Sequence, residues 1–101
     1  MSLQIQKTAG STTTLALSGR LDTTTAPELE AALADVSSGA KELVLDMNEL
    51  AYISSAGLRV ILKAQKLMLG VGGTMKLIHV SETVQEVFDI TGFSDFLTIE
   101  K

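Results

Sequence analysis

Apolar and polar residues alternate along Leu3-Gln4-Ile5-Gln6 and again along Thr14-Leu15-Ala16-Leu17-Ser18, the period-two pattern of strands with one buried face. Ala9-Gly10-Ser11 supplies turn residues between them, so the two segments predict an antiparallel hairpin. Gly19-Arg20-Leu21-Asp22 closes the second strand and leaves Asp22 near its carboxyl end. The period then changes to that of a helix. Thr25-Ala26-Pro27-Glu28 has the spacing of a capping box with proline in the first turn, and Leu29, Ala32, Leu33 and Val36 recur on one face while Glu28, Glu30 and Asp35 stay in water. Ser37-Ser38-Gly39 is the predicted stop.

The nearly continuous apolar run Leu43-Val44-Leu45-Asp46-Met47 predicts a strand buried on both faces and central in its sheet. Asp46 interrupts it and is read as hydrogen-bonding the following turn through its side chain. From Ser55 the pattern is helical, with Leu58, Ile61, Leu62, Gln65, Met68 and Leu69 on one face and Arg59, Lys63 and Lys66 away from it. Val60 and Leu67 fall outside the stripe and are expected to be partly exposed, an apolar and basic flank open to a partner. Gly70-Val71-Gly72-Gly73 follows a helix and precedes a strand, the reverse of a nucleotide loop, and reads as a helix stop and turn. Thr74 to Val80 predicts a strand, Ser81 a cap, Val84, Val87 and Phe88 the buried face of a third helix ending near Gly92, and Phe96 to Ile99 a last strand.

The expected class is therefore α/β: one domain over residues 1–101, in the order β-β-α-β-α-β-α-β, with an N-terminal antiparallel hairpin and parallel strands joined by right-handed helical crossovers. A chain of 101 residues, 46% hydrophobic and 20% charged, has the composition of one globular core. Three Phe, one Tyr and no Trp make that core aliphatic.

A net charge of −4 argues against nucleic acid and anionic membranes as partners and favours another protein. The absence of cysteine excludes disulfides, thiolate metal sites and a cysteine nucleophile. No basic leader followed by an apolar stretch opens the chain, and no run reaches the ~18 apolar residues of a membrane span, so a soluble cytoplasmic protein is expected.

Chemistry narrows to Ser54 and Ser55, at the expected start of the central helix, where free amide donors accommodate negative charge. A small serine hydrolase would need Ser55, the single His79 and Asp22 or Asp46, yet Ile53 stands where a nucleophile elbow requires glycine, and His79 falls inside an apolar strand. Scattered carboxylates and one histidine give no metal-ligand spacing, so neither a metal nor a cofactor is expected. A serine at a helix start without catalytic partners is either a cap or a modification site.

The stretch Leu43-Val44-Leu45-Asp46 through Tyr52-Ile53-Ser54-Ser55-Ala56-Gly57-Leu58-Arg59-Val60 resembles the signature of the STAS domain family, which includes anti-sigma factor antagonists and the cytoplasmic domains of sulphate transporters. Gly19-Arg20-Leu21-Asp22, Thr25-Ala26-Pro27-Glu28-Leu29 and Thr91-Gly92-Phe93 extend the resemblance over nearly the whole chain. A chain of this length is most similar to the stand-alone bacterial antagonists. The resemblance implies partner switching: the unphosphorylated antagonist binds an anti-sigma factor that is also a serine kinase, phosphorylation breaks the complex, and a phosphatase restores it.

On this chain the implied phosphoacceptor is Ser55, two residues before Gly57, with Asp22, Ser54, Gly57, Arg59, Val60 and Lys63 forming the partner surface. The best-known members carry an aspartate immediately before the acceptor, where this chain has Ser54, which makes Ser54 the alternative acceptor. A STAS subunit of a transporter complex or a signalling scaffold is the other reading within the family.

Overall fold

The computed structural model describes residues 3–8, 10, 12–36, 41–95 and 97–100. Ala9 and Ser11 of the predicted hairpin turn, the Ser37-Ser38-Gly39 stop and Phe96 lie outside the described residues, as do the side chains of Asp35 and Val36. The elements in order are β1 (Leu3–Thr8), β2 (Thr13–Leu21), α1 (Ala26–Val36), β3 (Glu42–Ile53), α2 (Ser55–Gly70), β4 (Thr74–Ile78) and α3 (Glu82–Thr91), followed by a short 3-10 turn, Phe93–Asp95.

The strands form one mixed sheet in the order β1-β2-β3-β4, with β1 antiparallel to β2 and the remaining pairs parallel. β3 lies between β2 and β4, and Leu43, Val44 and Leu45 are all buried, as the apolar run requires. Leu15, Leu17, Leu45 and Leu77 pack with Leu29, Ile61 and Phe88 of the three helices in one hydrophobic cluster. Gln4, Gln6, Thr14, Ser18 and Lys76, at the alternate positions, are exposed or half-buried.

Three predicted boundaries move. β3 does not end at Met47; it continues to Ile53, and β2 follows it through register shifts between Ala16 and Ser18 and between Gly19 and Arg20. A bulge breaks the strict alternation of a strand, so Asn48 and Glu49 look like a connection in sequence. Gly19 sits at the second shift with φ 101°, a conformation that side chains disfavour.

β4 stops at Ile78, because His79 takes a left-handed conformation, φ 56°, and is exposed rather than inside a strand. The last strand is reduced to a bridge between Leu77 and Ile99, in which the Leu77 amide donates to the Thr98 carbonyl at 2.9 Å and the Glu100 amide to the Leu77 carbonyl at 2.7 Å.

The capping box at the start of α1 is replaced as well. Thr25 is buried, and its hydroxyl turns back to β2, accepting from the Asp22 amide and reaching the Arg20 carbonyl, both at 2.8 Å. A buried hydroxyl needs partners, and the end of β2 offers both a donor and an acceptor. Asp22 organises the turn in its place, while Glu28 is exposed.

The buried side of α2 is Gly57, Leu58, Val60, Ile61, Ala64 and Met68, so Val60 is 6% exposed and Leu69 64%, the reverse of the expected flank. α1 packs along α2 and covers Val60, which widens the buried stripe toward α1 and leaves Leu69 in water. Leu67 is exposed as predicted.

Candidate functional site at the start of α2

The carboxyl ends of β2 and β3 bring the site together. The Ser54 amide donates to the Leu21 carbonyl at 2.9 Å, which ties the last residue before α2 to β2. Ser54 is the N-cap: its backbone is extended, φ −102° and ψ 175°, and its Oγ accepts from the Gly57 amide at 3.4 Å. The Ser54 carbonyl accepts from the Leu58 amide at 3.0 Å and so starts the helical ladder.

Ser55 differs from its neighbour in every respect that bears on chemistry. It is the first helical residue, it is exposed, and its hydroxyl has no hydrogen bond among the described residues. The amides of Ser55 and Ala56 precede the capped one and begin the helix with a partial positive charge. No acid stands in the first turn of α2, whereas α1 has Glu28 and α3 has Glu82 at the equivalent stage.

Gly57 belongs to the scaffold rather than to the surface. A Cβ there would fall 2.6 Å from Leu21 Cγ and 3.1 Å from Ile53 Cγ1, closer than packed carbon atoms come. The glycine lets the first turn of α2 rest on the ends of β2 and β3, which fixes where Ser55 emerges. Gly57 and Val60, both expected on the partner surface from sequence, are buried.

Asp22 faces the same end. Its Oδ1 accepts from the Thr24 hydroxyl at 2.8 Å and from the Thr24 and Thr25 amides at 3.0 and 3.1 Å. The Thr24 hydroxyl, followed by these amides and the Thr25 hydroxyl, holds the carboxyl below its ordinary pKa although desolvation works the other way. Its other oxygen lies 3.7 Å from Arg20 Nε.

Arg20 in turn stacks over Tyr52, with Cζ 4.3 Å from the ring centroid. Sequence reasoning missed this pair. The two residues are register partners only because β2 and β3 slip past each other at the bulges, and a single sequence carries no signal for that slip. Beyond Ser55, Arg59 is exposed, and Lys63 pairs with Glu30 of α1 at 3.4 Å.

His79 and Asp46 meet elsewhere, with Nδ1 and Oδ1 3.0 Å apart, and the Asn48 amide donates to the same Asp46 oxygen, as expected of that aspartate. Asp46 lies seven residues before Ile53 on β3, on the order of 20 Å along an extended strand. The histidine that a Ser55 hydrolase would need is therefore at the wrong place in the sheet. Among the described residues no three His, Asp or Glu side chains cluster to hold a metal ion, and no helix is long and apolar enough to cross a membrane.

The model of the STAS domain matches residues 2–101. The chain belongs to the STAS domain family. A protein of Bordetella bronchiseptica named as an anti-sigma factor antagonist, BtrV, is 45% identical over 78 residues, covering 76% of this chain and 67% of its own length. The anti-sigma-B factor antagonist of Bacillus subtilis is 31% identical over 83 residues, covering 82% of this chain and 76% of its own. Among solved structures, the Bacillus cell fate determinant SpoIIAA superposes in its unphosphorylated and phosphorylated forms with TM-scores of 0.76 and 0.74. Each is 19% identical and covers 98% of this chain, with 86% and 91% of the solved chain matched. These superpositions establish the shared STAS fold.

Proposed function

We propose that this STAS chain is an anti-sigma factor antagonist that works by partner switching. Unphosphorylated, it binds an anti-sigma factor that is also a serine kinase; phosphorylation of Ser55 breaks the complex, and a phosphatase resets it. The names of the Bordetella and Bacillus relatives support the role. Residues 1–101 act as one STAS domain in the cytoplasm, without a cofactor and without catalysis of their own.

The observation that carries the choice of acceptor is the contrast between the two serines. The Ser54 hydroxyl is committed to the Gly57 amide, so a phosphate there would displace a cap worth about 1 kcal/mol. Ser55 is exposed and uncommitted at an acid-free helix start. A phosphate adds about −1.5 to −2 charge, and the helix end offsets part of it by ~0.3–1 kcal/mol, so the fold tolerates the modification. A partner surface pressed against Asp22, Ser55, Arg59 and Lys63 does not. Coupling of ~1–3 kcal/mol changes affinity some five- to 150-fold, enough for a switch with the fold unchanged.

Incubation with the cognate kinase, followed by mass spectrometry, tests the assignment. Ser55→Ala abolishes phosphorylation and Ser54→Ala retains it; phosphate found on Ser54 overturns the reading. Ser55→Asp weakens binding of the anti-sigma factor within that five- to 150-fold range, and an unchanged affinity counts equally against it.

A further inference from the structure

We propose that Arg59 is the internal partner of a phosphate on Ser55, holding it along α2 and thereby withdrawing its own charge from the docking surface. This rests on Ser55 being the phosphoacceptor. Of Arg20, Arg59 and Lys63, two are engaged: Arg20 is stacked on Tyr52 beside Asp22, and Lys63 is paired with Glu30. Arg59 is exposed and has no ion pair or hydrogen bond among the described residues.

Its position is the favourable one. Ser55 and Arg59 are four residues apart in the same helix, one turn along the same face, where side chains are neighbours and an acid placed N-terminal to a base is the better order. The planar guanidinium fork matches phosphate oxygens two at a time, which a lysine does not.

Arg59 also lines a shallow groove between α1 and α2, with Thr23, Ala26, Pro27, Ala56, Val60 and Glu30, the last of which is paired with Lys63. In the unphosphorylated chain its guanidinium is available there to a carboxylate of the bound partner. In the phosphorylated chain the same group is neutralised in cis. Modification then acts twice on the complex, by adding negative charge and by removing the cation that met it.

The test uses full-length chain in which phosphoserine is installed at position 55 during translation, so that no kinase is involved. Its second phosphate pKa is read by 31P NMR in the parent and in Arg59→Gln, Arg59→Lys and Arg20→Gln. Arg59→Gln is expected to raise that pKa by a few tenths of a unit, Arg59→Lys to restore part of the difference, and Arg20→Gln to leave it in place.

The Arg59 Nε–H resonance of the parent is expected to shift on phosphate ionisation. An Arg59→Gln variant with the parent's phosphate pKa, or a shift that follows Arg20, overturns the proposal. Failure of the phosphoacceptor assignment shows separately, as kinase labelling at another residue, because here the phosphoserine is placed by translation.

Discussion

Two strand-to-helix junctions in this fold begin with the same device and end in different chemistry. At the first, β3 runs into α2 through Ser54, whose Oγ accepts from the amide three residues on; at the second, β4 runs into α3 through Ser81, whose Oγ accepts from the Val84 amide at 3.3 Å. Each has an aspartate close by, Asp22 at the first and Asp46, paired with His79, at the second. The differences follow the cap. After Ser81 comes Glu82, an acid that already complements the helix end; after Ser54 comes Ser55, neutral and exposed. The third residue is Val84 in one and Gly57 in the other, so α3 leaves room for a side chain where α2 lies directly on Leu21. The contrast separates what a helix start needs, which both have, from what makes one of them a place where charge can be added.

The largest effect is expected at the third residue. Gly57→Val forces a branched side chain against Leu21 and Ile53, and overpacking of this kind costs about 1–3 kcal/mol. Chemical denaturation measures it; a variant as stable as the parent would show that α2 can lift off β2 without penalty. The caps come next. Ser54→Ala and Ser81→Ala are each expected to cost about 1 kcal/mol, and the test is their similarity: a loss confined to one of them breaks the equivalence of the two junctions.

Much of this contrast was legible in the chain itself, and the parts that were not share a cause. Ser81, Gly92 and the periodicity of Val84 and Phe88 announced α3, because cap, stop and buried face are local signals. The serine motif marked the start of α2, and its two hydroxyls were already the candidates. Whatever depended on a second element was hidden: Val60 is buried because α1 covers it, Thr25 turns away from its own helix because β2 offers partners, and Arg20 meets Tyr52 only through a slipped register. Gly57 was visible as a motif position but not as a packing necessity, since Leu21 stands 36 residues before it. Sequence periodicity reports an element's own faces, and the packing of a neighbour decides which of them close.

A smaller effect tests the charge of the helix ends. Ser55→Asp places an acid where α2 has none, and Glu82→Gln removes the one that α3 has. The first is expected to stabilise the isolated chain by ~0.3–1 kcal/mol at low ionic strength and the second to destabilise it by a similar amount. Denaturation midpoints in low and high salt report both, because screening should shrink the two changes together. A Ser55→Asp variant no more stable than the parent would mean that the start of α2 is not short of negative charge and does not offset that of a phosphate.

The smallest expected effect lies with the aspartates. The Asp22 carboxyl titrates below its ordinary value of 3.8, chiefly because the Thr24 hydroxyl and then the neighbouring amides bind its ionised form. A folded-state pKa below that of the unfolded chain means that ionised Asp22 contributes stability, fully present above the unfolded value and lost as pH falls through the lowered one. Asp46 is lowered too: burial pushes it up, and the Asn48 amide and His79 more than offset that. Asp22→Asn should therefore be less stable than the parent at neutral pH, with the gap closing in acid, and Asp46→Asn should follow the same course. A gap at Asp22 that stays constant through the acid range would mean that the carboxylate charge contributes nothing and that shape alone holds the Asp22–Thr25 turn. The two junctions would then differ in their acids as well, since the Asp46 carboxylate has the His79 ring nitrogen 3.0 Å away beside the Asn48 amide, whereas Asp22 is held mainly by hydroxyl and amide donors of its own turn.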